Sequence, residues 1–301
     1  MALLAGVCYD PAVAVLKATS SRLAITAFDT TNLRLTFTAP TNGKVLVRIR
    51  CTLQGATTFP TILLGVLEST TIKGRQCPIG AISGTAATTT NVTQEALFTV
   101  TGLTGGNSYT WDAAYGVEIL LASTNIKYGG PNDTSANNAW GGICFEIWDA
   151  PNLLASTLYD PSSAVTNKAA TAAAIMTAFD TTNLRLSFTA PSTGNVLVRL
   201  RGVLHGATTY GQVLLGILES STVKLRVAPA GGLKTTALAT AQLVVEGQGV
   251  IKGLTPGNSY TYDAAWGVET GVTNCNFKYG GPNDTTTDNA FGGFLYEIWS
   301  C

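Results

Sequence analysis

The stretch Thr26-Ala27-Phe28-Asp29-Thr30-Thr31-Asn32-Leu33-Arg34-Leu35 occurs twice in this chain, because residues 177–186 repeat it without a change. The match extends well beyond these ten residues. Residues 28–148 align with residues 179–299 at a constant offset of 151, and more than half of the aligned positions are identical. Each copy has the size of a whole domain, so the repeat predicts two tandem duplicated domains, 1–150 with an N-terminal arm and 151–301.

The composition excludes several classes of protein. Only 12% of the residues are charged, about half the usual share, and 18 basic residues balance 18 acidic ones. A neutral chain offers no basic field for nucleic acid, and no stretch approaches the roughly 18 apolar residues that span a bilayer. With 46% hydrophobic residues the chain is not disordered. We therefore predict no nucleic-acid and no membrane partner.

The periodicity within each copy is that of β-strands. Residues 33–37 and 45–50 are apolar at every second position, and residues 109–118 and 143–148 continue this pattern. Asn42-Gly43 between the first two runs predicts a two-residue hairpin. We expect an all-β fold of two tandem duplicated jelly-roll β-sandwich domains, each with about eight strands. The Ala-rich segments 11–20 and 168–176 fit a helix, a first strand or an extended arm.

The two copies differ most at residues 51–62, 79–101 and 119–124 and at their counterparts in the second copy. Sequence that diverges after a duplication is typical of loops and sheet edges. We expect these segments to be the places where each domain meets a different neighbour.

Short motifs resemble a known family. Residues 35–47, with Phe37, Pro40 and Gly43, and their counterparts 186–198 resemble the Phe-x-x-Pro-x-x-Gly signature of jelly rolls related to tumour necrosis factor and the complement globular head. Residues 291–296 are similar to the last strand of that family. In that family the cover over an apolar sheet face is the neighbouring subunit of a trimer. The composition, rich in Thr, Ala, Gly and Asn, also resembles tailed-bacteriophage virion proteins that decorate heads or tip tail fibres.

The duplication is an internal control for catalytic and metal-binding residues, since a site that both domains need must occur in both copies. None of the six cysteines has a cysteine at the equivalent position, and His205 is the single histidine. No Cys-x-x-Cys spacing suggests a zinc site. We predict incidental free thiols in a protein made in the reducing host cytoplasm, with no catalytic set, metal or cofactor.

Six of the carboxylates that occur in both copies raise two alternatives. Paired carboxylates such as Asp112 and Glu118 could serve a glycosidase, or they could form ion pairs with the doubled arginines on one sheet face. We favour the ion pairs. The loops at residues 128–133 and 279–284 offer too few oxygens for Ca²⁺, so they are interpreted as Asx turns. These six doubled carboxylates are Asp29/Asp180, Glu68/Glu219, Asp112/Asp263, Glu118/Glu269, Asp133/Asp284 and Glu146/Glu297.

A candidate interface remains. Leucine and tryptophan lie on the nominally exposed side of their strands in both copies, which suggests a face that is covered by another sheet, by the arm or by a partner. The predicted interface residues are Leu46, Trp148, Leu197, Trp299, Arg48, Arg50, Arg199, Arg201, Tyr115 and Trp266.

These observations lead to a functional hypothesis with one alternative. We predict a virion protein that is not an enzyme. Its role is that of a head decoration (cement) protein that binds across capsid subunits. The predicted partners are the major capsid protein and copies of itself, with a trimer as the candidate assembly. The alternative is a receptor-binding or fibre-tip module that recognises cell-surface glycan through exposed aromatics such as Tyr115 and Trp266.

Overall fold

A computed structural model of the chain describes two compact units, Met1–Pro151 and Asn152–Cys301. Each unit is considered by itself below. The described residues are 1–11, 15–17, 25–54, 62–78, 91–117, 126–128, 142–160, 165–168, 175–206, 213–230, 242–268, 275–280 and 293–301.

The first unit has eleven strands in its described residues. Six of them form one sheet in the order β1-β11-β5-β10-β2, with β8 also paired to β5; the other five form a second sheet in the order β3-β9-β6-β7, with β4 paired to β9. The strands are β1 Leu3–Tyr9, β2 Val15–Lys17, β3 Thr26–Ala27, β4 Arg34–Thr38, β5 Val45–Gln54, β6 Ile62–Glu68, β7 Thr71–Gln76, β8 Asn91–Val100, β9 Ser108–Val117, β10 Ile126–Tyr128 and β11 Ile143–Asp149.

The second unit repeats this arrangement. Its sheets have the orders β12-β22-β16-β21-β13, with β19 on β16, and β14-β20-β17-β18, with β15 on β20. The strands are β12 Leu153–Tyr159, β13 Val165–Lys168, β14 Thr177–Ala178, β15 Arg185–Thr189, β16 Val196–Gly206, β17 Val213–Glu219, β18 Thr222–Val227, β19 Gln242–Ile251, β20 Ser259–Val268, β21 Cys275–Gly280 and β22 Phe294–Ser300.

The prediction of an all-β jelly-roll fold is confirmed. The paired strands of each unit are antiparallel, and the chain passes several times between the two sheets, as in a sandwich with crossover connections. No segment within the described ranges is a helix long and apolar enough to cross a membrane. Of the Ala-rich segments, residues 15–17 and 168 are strand residues, and most of the others lie outside the described residues.

The period of two explains how each unit builds its core. Leu35 and Phe37 of β4 are buried while the residues between them are exposed, and Val45, Val47 and Ile49 of β5 have no exposed surface. Aromatic rings fill the space between the sheets, as where the ring centroids of Phe37 and Trp111 lie 4.8 Å apart. One side of every such strand therefore enters the core, and the other side faces outward.

The predicted Asn42-Gly43 hairpin is wrong. Strands β4 and β5 lie in different sheets, so the turn carries the chain across the sandwich instead of pairing its neighbours. Gly43 has a φ of +64°, and a Cβ there would clash with the backbone of Leu103. The glycine is needed at this corner because only a residue without a side chain fits both the backbone conformation and the contact.

Of the divergent segment 79–101, the described residues 91–100 form a sheet edge, as predicted, because their strand pairs with β5 alone in the described part of the chain, and residues 79–90 lie outside the described residues. Residues 91–100 are β8, which pairs along the whole length of β5. The segment diverged because its core residues changed, since Gln94, Ala96 and Phe98 of β8 are replaced by Val245, Gly247 and Gly249.

A compensating exchange of large and small residues accompanies this divergence. Gly249 lies against Leu225, whose Cδ1 would be 2.7 Å from a Cβ at position 249. The equivalent residues of the first unit are Phe98, which is fully buried, and Gly74. The bulky side chain stands on β8 in one unit and on β18 in the other, so the same volume is filled from opposite sides.

This exchange predicts a rescue in the second unit. Gly249→Phe alone is expected to lower the free energy of unfolding by about 1–3 kcal/mol because the added ring collides with Leu225. Adding Leu225→Gly should recover most of that loss, since the pair then copies the first unit. Equilibrium denaturation of the two variants and of Leu225→Gly alone measures the coupling. Additive effects of the two substitutions would contradict the interpretation.

Candidate binding face

The outward side of the six-stranded sheet in the first unit carries most of the predicted interface. Strands β1, β11, β5 and β8 pair in a register that aligns their outward residues in three rows. We call these rows the outer face. In the order of the four strands they are Leu3, Trp148, Leu46 and Thr99; then Gly6, Glu146, Arg48 and Leu97; then Cys8, Cys144, Arg50 and Glu95.

The first row is apolar. Leu3 keeps 51% of its surface exposed, Trp148 is half-buried, and Leu46 is 9% exposed. The parity argument therefore placed Leu46 and Trp148 on the correct side of the sheet. It missed Leu3, which completes the row, because β1 has no strict alternation in its sequence.

The second row is built around one arginine. Arg48 lies 3.0 Å from a carboxylate oxygen of Glu95 and 3.6 Å from one of Glu146. The indole Nε1 of Trp148 donates a hydrogen bond to Glu146 at 3.1 Å. Hydrogen bonding to Glu95, with the charges of both carboxylates, raises the pKa of Arg48. The arginine beside the apolar row is thus paired with two carboxylates, and one of these carboxylates orients the tryptophan.

The third row corrects the prediction of free thiols. Cys8 and Cys144 stand directly opposite each other on β1 and β11 and form a disulfide, with their Cα atoms 4.0 Å apart. The equivalent residues Leu158 and Leu295 are also directly opposite each other. Both positions therefore differ between the two units, cysteine in the first and leucine in the second. Such a paired difference is a sequence signal of contact, and a comparison of each position by itself misses it. Cys51 and Cys77 are buried and are not part of this disulfide.

The second unit has the same arginine–glutamate network, but more of that network is buried. Arg199 lies 2.9 Å from Glu246 and 3.5 Å from Glu297, whose side chain has no exposed surface. Burial by itself would lower the pKa of Arg199, but the charges of Glu297 and Glu246 outweigh it and raise the pKa. Arg201 is buried as well. Arg199 and Arg201 are therefore not the exposed interface residues that the sequence predicts, although Leu197 and Trp299 remain half-buried.

The other doubled ion pairs lie on the opposite sheet. Arg34 makes a two-pronged contact with Asp112, at 2.7 and 2.9 Å, and Arg185 repeats it with Asp263. These carboxylates form ion pairs with arginine, as the sequence analysis favours over a carboxylate dyad. The prediction that all the ion pairs lie on one sheet face is wrong. Asp112 pairs across β4 and β9, in the sheet that does not contain Arg48.

Two further carboxylates have other partners than arginine. Glu68 pairs with Lys73 at 2.8 Å, and Glu219 repeats this contact with Lys224 at 2.7 Å. Asp29 accepts hydrogen bonds from the backbone of Thr31 and Asn32, which makes it the cap of a turn.

The predicted aromatic platform for glycan is wrong. Tyr115 and Trp266 are 2% and 1% exposed, because both point inward from their strands and pack between the sheets. Phe28 and Tyr115 lie against each other with ring centroids 4.7 Å apart and ring planes tilted by 34°. Burial raises the pKa of Tyr115. Arg50 is exposed as expected.

Several predicted positions lie outside the described residues. They include Glu118, Glu269, Asp133 and Asp284, and the side chains of His205 and Cys275. In the part of the chain that the structure describes, no three His, Cys, Asp or Glu side chains come together as a group that could hold a metal ion.

Comparison with known proteins finds no matching family and no matching curated sequence. Among solved structures, a peptide-N4-(N-acetyl-β-D-glucosaminyl) asparagine amidase is similar over 96% of both chains, with 12% identity and a TM-score of 0.39. The tandem CBM22-1–CBM22-2 domain of Paenibacillus barcinonensis Xyn10C is similar over 99% of this chain and 97% of its own, with 10% identity and a TM-score of 0.23.

A third similar structure is the VP2 subviral particle of infectious bursal disease virus. It covers 97% of this chain and 80% of its own, with 9% identity and a TM-score of 0.18. Likenesses this distant carry no argument about what the chain does.

The first of these structures corrects one prediction. The sequence predicts a protein that is not an enzyme, and this is contradicted because a structure similar over 96% of the chain is that of an amidase.

The two arginine networks predict unequal effects of one substitution. Arg199→Met is expected to lower the free energy of unfolding by about 3 kcal/mol, because it takes the ion pair from a buried carboxylate. The matched change Arg48→Met should cost no more than about 1 kcal/mol, since its network is partly solvated. Chemical denaturation of the two variants checks this. Equal losses would show that burial does not set the strength of these networks.

Proposed function

We propose that this chain is a structural virion protein, a decoration protein that binds across capsid subunits on the head of a tailed bacteriophage. Its partners are the major capsid protein and copies of itself, with a trimer as the candidate assembly. The protein is made in the host cytoplasm and acts on the virion. The outer face of the first unit is the docking surface.

The apolar row of Leu3, Trp148 and Leu46 carries this proposal. It crosses three adjacent strands of an antiparallel sheet, so its three side chains lie side by side on the outward side of the sheet. The arginine beside it is paired with Glu95 and Glu146, so a partner that covers the row does not leave that arginine without a counter-charge. An apolar row with paired charges beside it suits contact with another protein surface through shape and burial more than through electrostatic steering.

Burial of apolar area is the physical basis of the proposed role. Each Å² of apolar surface removed from water contributes roughly 25 cal/mol, less the cost of association, to holding neighbouring capsid subunits together. A low density of charge on the whole chain is consistent with surfaces that end up covered by neighbours.

The test uses particles stripped of this protein and then reloaded with it. Leu3→Lys is expected to weaken binding on the order of tenfold or more, because it places a charge in the row that docking buries. Leu3 is half exposed, so the substitution leaves the core intact. Co-sedimentation with stripped particles measures binding, and survival after heat or osmotic shock measures the stabilisation.

Thr38→Lys is the matched control, since Thr38 is exposed on β4 in the other sheet. It should bind and protect like the unchanged protein. Stripped particles that resist heat and shock as well as intact ones would refute the role. Equal binding by the two lysine variants would refute the docking surface.

One observation favours a second candidate, the binding of cell-surface glycan. The half-buried indole of Trp148 is held beside Glu146 and Arg48, and an aromatic surface flanked by hydrogen-bonding groups is suited to a sugar ring.

For this candidate, Trp148→Ala should abolish binding on an array of host glycans while Thr38→Lys leaves it unchanged. The expected loss follows from removal of the stacking surface. An array on which the unchanged protein binds no glycan would exclude this function.

A further inference from the structure

Strand β1 is held to the first unit in an unusual way. None of its seven residues is fully buried, and it ends the strand order of its sheet in the described part of the chain. At one end, the backbone N–H of Ala2 donates to the Asp149 carboxylate and that of Asp149 donates to the carbonyl of Ala2 at 2.9 Å. Near the other end is the disulfide between Cys8 and Cys144.

We propose that the Cys8–Cys144 pair is a redox-sensitive latch, which holds β1 on β11 when oxidised and lets β1 detach when reduced. The argument rests on the position of the pair, on the sparse burial of β1 and on the comparison with the second unit. It does not depend on the proposed function.

The second unit supports this reading of the pair. Its equivalent strand β12 has a buried residue, Leu153 at 2% exposed, where β1 has the exposed Leu3. Leu158 and Leu295 then meet in the positions of the two cysteines, and Leu295 is fully buried. Apolar contact thus fastens β12, whereas β1 has a bond that depends on the redox state.

The position of the latch makes it accessible. Cys8 is exposed and Cys144 is half-buried, so a small oxidant or reductant reaches the pair. Cys51 is buried, and burial raises the pKa of its thiol well above its ordinary value, which keeps it from competing. Cys301 is exposed and is not part of the pair.

The chemistry is thiol–disulfide exchange with a small disulfide such as oxidised glutathione. The Cys8 thiolate attacks one sulfur of that disulfide, forms a mixed disulfide and releases one glutathione thiolate. The Cys144 thiolate then attacks the Cys8 sulfur and releases the second. Two protein thiols are oxidised to one disulfide, the small disulfide is reduced to two thiols, and the two protons lost by the protein thiols end on the two released glutathione thiolates. Closing the latch links residues 136 apart in the sequence, a long loop of the kind that cross-linking stabilises most.

The consequence for the outer face is direct. Leu3 belongs to β1 and lies opposite Trp148, so detachment of β1 takes Leu3 out of the apolar row and bares the edge of β11. Oxidation therefore completes the outer face.

The test is hydrogen exchange of the full chain carrying Cys301→Ser, which prevents cross-linking between molecules. With oxidised glutathione the chain should lose the mass of two hydrogens, and the amides of residues 3–9 should be protected. With a reductant, exchange of these amides should speed up on the order of tenfold or more, while residues 153–159 of β12 stay unchanged.

Two variants of the pair complete the design. Cys8→Ser with Cys144→Ser should exchange fast at residues 3–9 under both conditions. Cys8→Leu with Cys144→Leu, which copies the second unit, should exchange at one rate whether or not reductant is present. A pair that stays reduced in oxidised glutathione would overturn the latch, and so would exchange at residues 3–9 that is the same in oxidised and reduced protein.

Discussion

The antiparallel register between β5 and β11 is the constraint on which the rest of the first unit depends. It places Val47 opposite Ile147 and Ile49 opposite Phe145 in the core, and by the same alternation it places Leu46 opposite Trp148 outside. A slip of one residue would exchange these two sets and put charged side chains between the sheets. The core and the outer face are therefore two results of one pairing, which β16 and β22 repeat in the second unit.

Within this shared register the two units solve the same packing problems with different residues. The first has Phe98 and Gly74 at the positions where the second has Gly249 packed against Leu225. The first joins β1 to β11 with a disulfide, and the second joins β12 to β22 with a pair of leucines. In both cases two positions changed together, because a core position is defined by the space its partner leaves.

The few charges of this chain are used to hold strands together on the outward sides of the sheets. Arg34 with Asp112 and Arg48 with Glu95 and Glu146 join neighbouring strands, so most of their field is cancelled locally. The surfaces that result are close to neutral. Surfaces of this kind match a protein whose recognition depends on shape and apolar contact. They also agree with a chain that has half the usual share of charged residues.

The sequence by itself determined the duplication, the all-β class and the side of each strand on which Leu46, Trp148 and Arg48 lie, because identity at a constant offset and a period of two are properties of the chain alone. It also indicated that the doubled carboxylates pair with basic residues. Only the tertiary structure decided that Tyr115 and Trp266 are core residues, that Asn42-Gly43 joins two sheets, and that Cys8 meets Cys144. These depend on which strands become neighbours, and strand pairing across more than a hundred residues is set by the packing of the whole sandwich rather than by local sequence.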